Sequence, residues 1–103
     1  MKTLTDCFAR EVRLTDERLA HILERPELDG MDSEVGIVLR KPQFVRLSRS
    51  DTSVRLFYAF YPETLVGGKW LCVVVKYEDA DAFVVTAYLT NRPKAGEDLW
   101  PIR

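Results

Sequence analysis

The chain is 103 residues long, 47% hydrophobic and 30% charged, with a formal net charge of -1 and two cysteines. This balance predicts one folded domain spanning residues 1-103, with a core over about residues 8-90 that needs no disulfide or metal staple and an irregular tail over 91-103. It excludes membrane-spanning helices, because the longest apolar run, Trp70 to Val75, is far short of the roughly 20 residues required; it also excludes disulfide-framework and zinc modules, which need more cysteines.

Without a long apolar stretch at the N-terminus to act as a signal peptide, a reducing, cytoplasmic location is expected. Phe8, Val12 and Leu14 alternate loosely, which predicts a short first strand within residues 7-14. Thr15 or Asp16 can cap a helix whose apolar stripe is Leu19, Ile22 and Leu23, and Pro26 ends or bends it. Leu28-Asp29-Gly30 reads as a turn. A second helix follows, capped by Asp32 or Ser33, with Met31, Val35, Val38 and Leu39 as its stripe, and Lys41-Pro42 stops it.

The period then changes from 3.6 to 2. Strands are expected over 43-49, 54-61, 69-77 and 82-90, separated by short polar or glycine-containing connections. Short connections make neighbouring strands antiparallel. The predicted fold class is therefore α+β: a short N-terminal strand and two helices followed by a four-stranded antiparallel sheet, with the helices packed on one face. Alternation places Phe83, Val85, Ala87 and Leu89 beneath the helices and Val84, Thr86, Tyr88 and Thr90 on the opposite face.

Charge is unevenly distributed. Residues 1-39 carry five basic and nine acidic side chains, residues 40-76 seven and two, and residues 77-103 three and five. The basic middle block either forms one anion-binding face or protects exposed strand edges. Within it, Arg46, Arg49 and Arg55 have the bidentate geometry that suits phosphate, and Lys76 shares a strand face with Trp70, Cys72 and Val74. Thr86, Tyr88 and Thr90 offer hydroxyls to a phosphate, and Tyr88 a ring for stacking; ordinary strand propensity also accounts for them. His21, the only histidine, is either a partly exposed helix residue or a general acid-base. A lone histidine does not make a metal cluster, so no metal site and no cofactor is expected. Cys72, in an apolar run, reads as a core residue rather than a nucleophile.

The strings LTDERLAHILERPEL, VRLSRSDTSVRLFYAFYP, VGGKWLCVVVKY and DAFVVTAYLTNR, covering about residues 12-99, resemble the phage-type barnase/EndoU/colicin/RelE-like nuclease families. The resemblance implies two helices followed by a four-stranded antiparallel sheet. It also implies metal-independent RNA cleavage, in which the ribose 2′-OH attacks the adjacent phosphate. The residues it implicates are His21, Arg46, Arg55, Thr86 and Tyr88 in catalysis, with Arg49, Lys76 and Thr90 contacting RNA. The family pattern HI-x-x-RHPE is met here by His21-Ile22-Leu23-Glu24-Arg25-Pro26-Glu27, without a histidine before the proline. RNA is the implied substrate and an antitoxin protein the implied partner. The alternative is a catalytically inactive domain of the same fold that binds RNA or protein. A homodimer through the aromatic strand Phe57, Tyr58, Phe60 and Tyr61 is a third expectation.

Overall fold

A computed structural model describes residues 1-102. The chain begins with a hairpin, β1 (Lys2-Thr5) and β2 (Glu11-Leu14), whose strands pair antiparallel. The connection is tight because the Asp6 carboxylate accepts the backbone N-H groups of Phe8 and Arg10, each at 2.9 Å, while Ala9 takes a left-handed φ of 64°.

Helix α1 (Asp16-Leu23) starts where the sequence indicates: Thr15 Oγ1 accepts the Arg18 N-H at 3.1 Å, and Asp16 and Glu17 complement the positive helix end. Pro26 does more than stop the helix. It opens a 3₁₀ turn (Pro26-Leu28) that drives Leu28 into the core. Helix α2 (Asp32-Arg40) buries Val35, Val38 and Leu39, as its spacing predicts, but its cap position is Met31 and no side chain caps it.

Five further strands follow: β3 (Phe44-Leu47), β4 (Val54-Thr64), β5 (Gly67-Glu78), β6 (Asp81-Thr90) and β7 (Asp98-Trp100). All strands join one seven-stranded sheet in the order β1-β2-β6-β5-β4-β3-β7. The pairing of β2 with β6 is parallel, and the others are antiparallel.

This corrects the four-stranded antiparallel sheet read from the sequence. The four predicted strands form its centre, and three short strands of three or four residues extend it. β2 lies within the short strand read over residues 7-14, whereas β1 and β7 carry too little alternation to read, and the parallel β2-β6 contact joins segments about 70 residues apart, which no local pattern encodes. β7 also replaces part of the expected irregular tail. It is held on β3 by backbone and side chain: Leu47 donates its N-H to the Glu97 carbonyl at 2.8 Å, and Trp100 meets Phe8 edge-on at 5.8 Å. Gly96 is required for that approach, because a Cβ there would lie 2.3 Å from the Leu47 carbonyl oxygen.

Apolar clusters lie on both faces of the sheet, and the helices cover one of them. Phe57, Leu71, Val73, Val75, Val84 and Ala87 face the helices, meeting Ile22, Leu28, Val35, Val38 and Leu39. The other face carries a smaller cluster of Leu56, Tyr58 and Cys72 with Phe44, Trp70, Val74 and Tyr88 around it. A bulge on β6 separates the two halves of that strand. Val74 pairs with Thr86 but Val75 pairs with Val84, so Val85 is the extra residue. The bulge corrects the face assignment upstream of it. Ala82 and Val84 join Ala87 under the helices, and Phe83 joins Thr86 and Tyr88 on the opposite face. No helix among the described residues is long and apolar enough to cross a membrane.

Candidate functional site at the α1-β6 edge

The basic middle block does not form one face. Arg46 is committed to holding the C-terminal segment. Its Nε donates to Asp98 at 3.0 Å, its Nη1 donates to the Lys94 carbonyl at 3.0 Å, and its guanidinium stacks on Phe44 at 4.6 Å. Lys76 donates to Asp51 at 3.1 Å. The Asp51 carboxyl is held at about 2, first by the Ser53 hydroxyl, then by the Ser53 N-H and Lys76. Arg49 is exposed on the β3-β4 connection. Arg55 lies on the helix-facing side of β4, its guanidinium 4.7 Å from the Phe8 ring and 4.3 Å from the Tyr77 ring. Among the described residues it has no hydrogen-bond partner. The Arg46, Arg49, Arg55 and Lys76 side chains therefore occupy separate places, and none adjoins His21.

A different set does converge. β2 pairs with β6 only at Arg13 and Phe83, leaving the rest of that β6 edge unpaired by any strand. Helix α1 and the 3₁₀ turn pack along it. Leu19 and Ile22 point inward, which leaves Arg18 and His21 exposed on α1, while Arg25 follows the end of the helix at the start of the 3₁₀ turn. Arg18 reaches a small cavity with Phe83 and Val84. One helix length on, the Arg25 guanidinium stands 5.9 Å from the centre of the Tyr88 ring. Arg25 is exposed and has no hydrogen-bond partner for its side chain among the described residues. His21 is also exposed, and its Nδ1 lies 3.3 Å from Glu24 Oε2.

Beneath Arg25, the β6 hydroxyls are unusual. Thr86 Oγ1 and the Tyr88 hydroxyl are buried and lack a hydrogen-bond partner. Cys72 and Tyr58 flank the Tyr88 hydroxyl, and Tyr58 OH itself accepts the Lys94 N-H at 2.9 Å. Burial, followed by these neighbours, pushes the Tyr88 phenol far above its ordinary range. Tyr88 therefore keeps its proton and does not act as a base. Tyr58 is pushed up to about 12, chiefly by burial. Burial likewise pushes the Cys72 thiol up to about 11 and the Cys7 thiol to about 11, so neither supplies a thiolate nucleophile near neutrality. Thr90 closes the row, and its hydroxyl both donates to and accepts from the Arg92 backbone at 3.2 Å.

Comparison with protein-family models, curated proteins and solved structures returns no significant match. The site rests on its own geometry. Of the residues singled out in the sequence, Thr86, Tyr88 and Thr90 share one strand, whereas His21 stands apart on α1 beside Arg18 and Glu24. Arg18 and Arg25, the cations of the α1-β6 edge, were overlooked because they flank an apolar stripe in a segment with an acidic balance. Their spacing from His21 was the available signal. Among the described residues no group of three or more His, Cys, Asp or Glu is placed to hold a metal.

Thr86→Val is expected to stabilise the fold by up to about 1 kcal/mol, because it replaces an unpaired buried hydroxyl by a methyl of the same shape. Urea denaturation measures this. If the hydroxyl serves a ligand, the same variant loses function as it gains stability, a trade that a purely structural threonine does not produce.

Proposed function

We propose that the chain is a small metal-independent endoribonuclease acting at the α1-β6 edge. The observation that carries the reading is the approach of Arg25, just beyond the helix bearing His21, to Tyr88 on β6. An RNA phosphate meets the exposed Arg25 first, since its guanidinium is free to make a bidentate contact. His21 removes the 2′-OH proton, the 2′-oxygen attacks phosphorus, and the 5′-oxygen leaves with a proton from water. Arg25 and Arg18 offset the charge that builds on the phosphoryl oxygens, and the Tyr88 ring backs Arg25. The products are a 2′,3′-cyclic phosphate and a free 5′-OH. An antitoxin protein covering this edge is the partner that the reading brings with it.

The test is cleavage of a short RNA by the purified chain in EDTA, beside the same RNA carrying a single 2′-deoxy nucleotide at the cleaved position. Cleavage of the first and not the second is expected, with a cyclic-phosphate end. Cleavage that persists through the 2′-deoxy site overturns the mechanism. A second reading is a non-catalytic binding domain, favoured by the burial of the Thr86 and Tyr88 hydroxyls and by the absence of a histidine before Pro26. It predicts salt-sensitive RNA affinity without turnover.

A further inference from the structure

The sheet ends in an unpaired strand. β1 pairs with β2 on one side and with nothing on the other. Bare strand edges are templates for pairing, and proteins usually blunt them with proline, inward charge or a covering element. β1 is short and carries its one charge, Lys2, at its start; Thr3, Leu4 and Thr5 follow without proline or a covering element, and only Leu4 is partly covered.

A groove of about 540 Å³ runs beside this edge, lined by Thr3, Leu4 and Thr5 on the strand and by Ser33, Gly36, Ile37, Arg40 and Lys41 on and after α2. The helical residues are spaced by three, four and seven. They form a second stripe on α2, turned away from the core stripe Val35, Val38 and Leu39. Its centre is apolar and low. Ile37 is 51% exposed, and Gly36 lets α2 sit close on Leu4 of β1, since a Cβ there would lie 3.3 Å from the Leu4 side chain. Its ends carry opposite charge: Asp32 opens the helix, and Arg40 and Lys41 close it. None of these three is in an ion pair among the described residues.

We propose that this face is the interface of a symmetric homodimer, in which β1 pairs antiparallel with β1 of a second copy and the two α2 helices lie side by side. The surface is complementary to itself. A two-fold axis normal to the sheet reverses the neighbouring helix, which sets Asp32 of one protomer beside Arg40 and Lys41 of its partner and opposes the helix dipoles. Ile37 meets its counterpart. A register centred on Thr3 or Leu4 keeps Leu4 on the helix side and Thr3 and Thr5 on the other, as the pleat demands. The two sheets become one. Of the aromatic strand named from the sequence, Phe57 and Tyr58 are fully buried and Phe60 is 43% exposed.

Sedimentation equilibrium of the whole chain tests the proposal, with hydrogen exchange of residues 2-5 at high and low protein concentration. Expected are a particle of twice the 11.9 kDa chain mass and β1 amides whose protection is lost on dilution. Ile37→Glu and Arg40→Glu each produce monomer, and each counts twice by symmetry. Because both positions are exposed, circular dichroism should show both variants folded. Adding Asp32→Lys to Arg40→Glu reverses both ends and restores the dimer. A wild-type monomer at millimolar concentration overturns the proposal. So does a dimer that survives Ile37→Glu and leaves exchange in residues 2-5 independent of concentration.

Discussion

Asp6→Ala is expected to cost about 2-5 kcal/mol of folding stability, a large share of what a domain of this size holds. Asp6 is the one buried charged residue among the described residues, 1% exposed. Its carboxylate serves three donors: the Phe8 and Arg10 N-H groups, each at 2.9 Å, and the Tyr77 hydroxyl at 2.5 Å. Alanine leaves all three without an acceptor in a place that water does not reach. Two of those bonds also hold the β1-β2 connection, where Ala9 sits in the left-handed region, so the loop loses its brace with the carboxylate. The Tyr77 ring is itself the platform on which the Arg10 and Arg55 guanidinium groups stack, at 5.2 Å and 4.3 Å. Tyr77→Phe keeps the platform and removes one donor, so it costs less, about 1-3 kcal/mol. Urea unfolding of both single variants and the double gives the coupling directly. A loss under about 0.5 kcal/mol for Asp6→Ala would mean that the carboxylate does not organise the loop.

The largest effect on activity is expected at His21. If the chain cleaves RNA as proposed, His21→Ala loses about 10²-10⁴-fold in kcat, the usual contribution of a general base. Arg25→Ala loses about 10²-10³-fold because it removes a cation aimed at developing negative charge, and Arg25→Lys recovers part of this as a point charge without the fork. Neither residue is buried, so both variants should unfold within about 0.5 kcal/mol of wild type. Arg46→Ala and Arg55→Ala are the instructive controls. Their side chains are placed away from His21, and losses equal to that of Arg25 would return the active centre to the strands. Single-turnover cleavage with fluorescent RNA in EDTA separates these outcomes.

The regular elements were legible because their signals are local. Thr15 ahead of Asp16 and Glu17, the Leu19-Ile22 spacing, Pro42 after α2, and the alternation in β4, β5 and β6 each lie within a dozen residues. What was not legible depends on distant partners. Asp98-Leu99-Trp100 is a strand only because β3 offers an edge and Arg46 a charge partner. Val85 looks like any valine in an alternating run, and only the pairing to Val74 and Val75 reveals it as a bulge. For the site, the sequence indicated the strand hydroxyls and His21. It attached to them the cations from the most basic segment, whereas the fold brings up Arg18 and Arg25 from a segment whose acids outnumber its bases. Arg55 illustrates the same limit: alternation does not tell which side of a sheet with apolar clusters on both faces an arginine occupies.

The long-range junction of β2 with β6 also sets an order of assembly. The β3-β4-β5-β6 meander needs only connections of a few residues, so it can form early, whereas the β1-β2 hairpin must close a loop of about 70 residues to reach Phe83. That junction has a single backbone pair, and its clasp is made of side chains: Arg13 binds Asp81 through two hydrogen bonds of 2.9 Å and 2.6 Å, and Arg10 grips the carbonyls of Glu78, Asp79 and Asp81. Once the hairpin arrives, Val12 and Leu14 complete the core and Asp6 takes the Tyr77 hydroxyl, so β1-β2 amides should gain exchange protection later in refolding than those of the central meander.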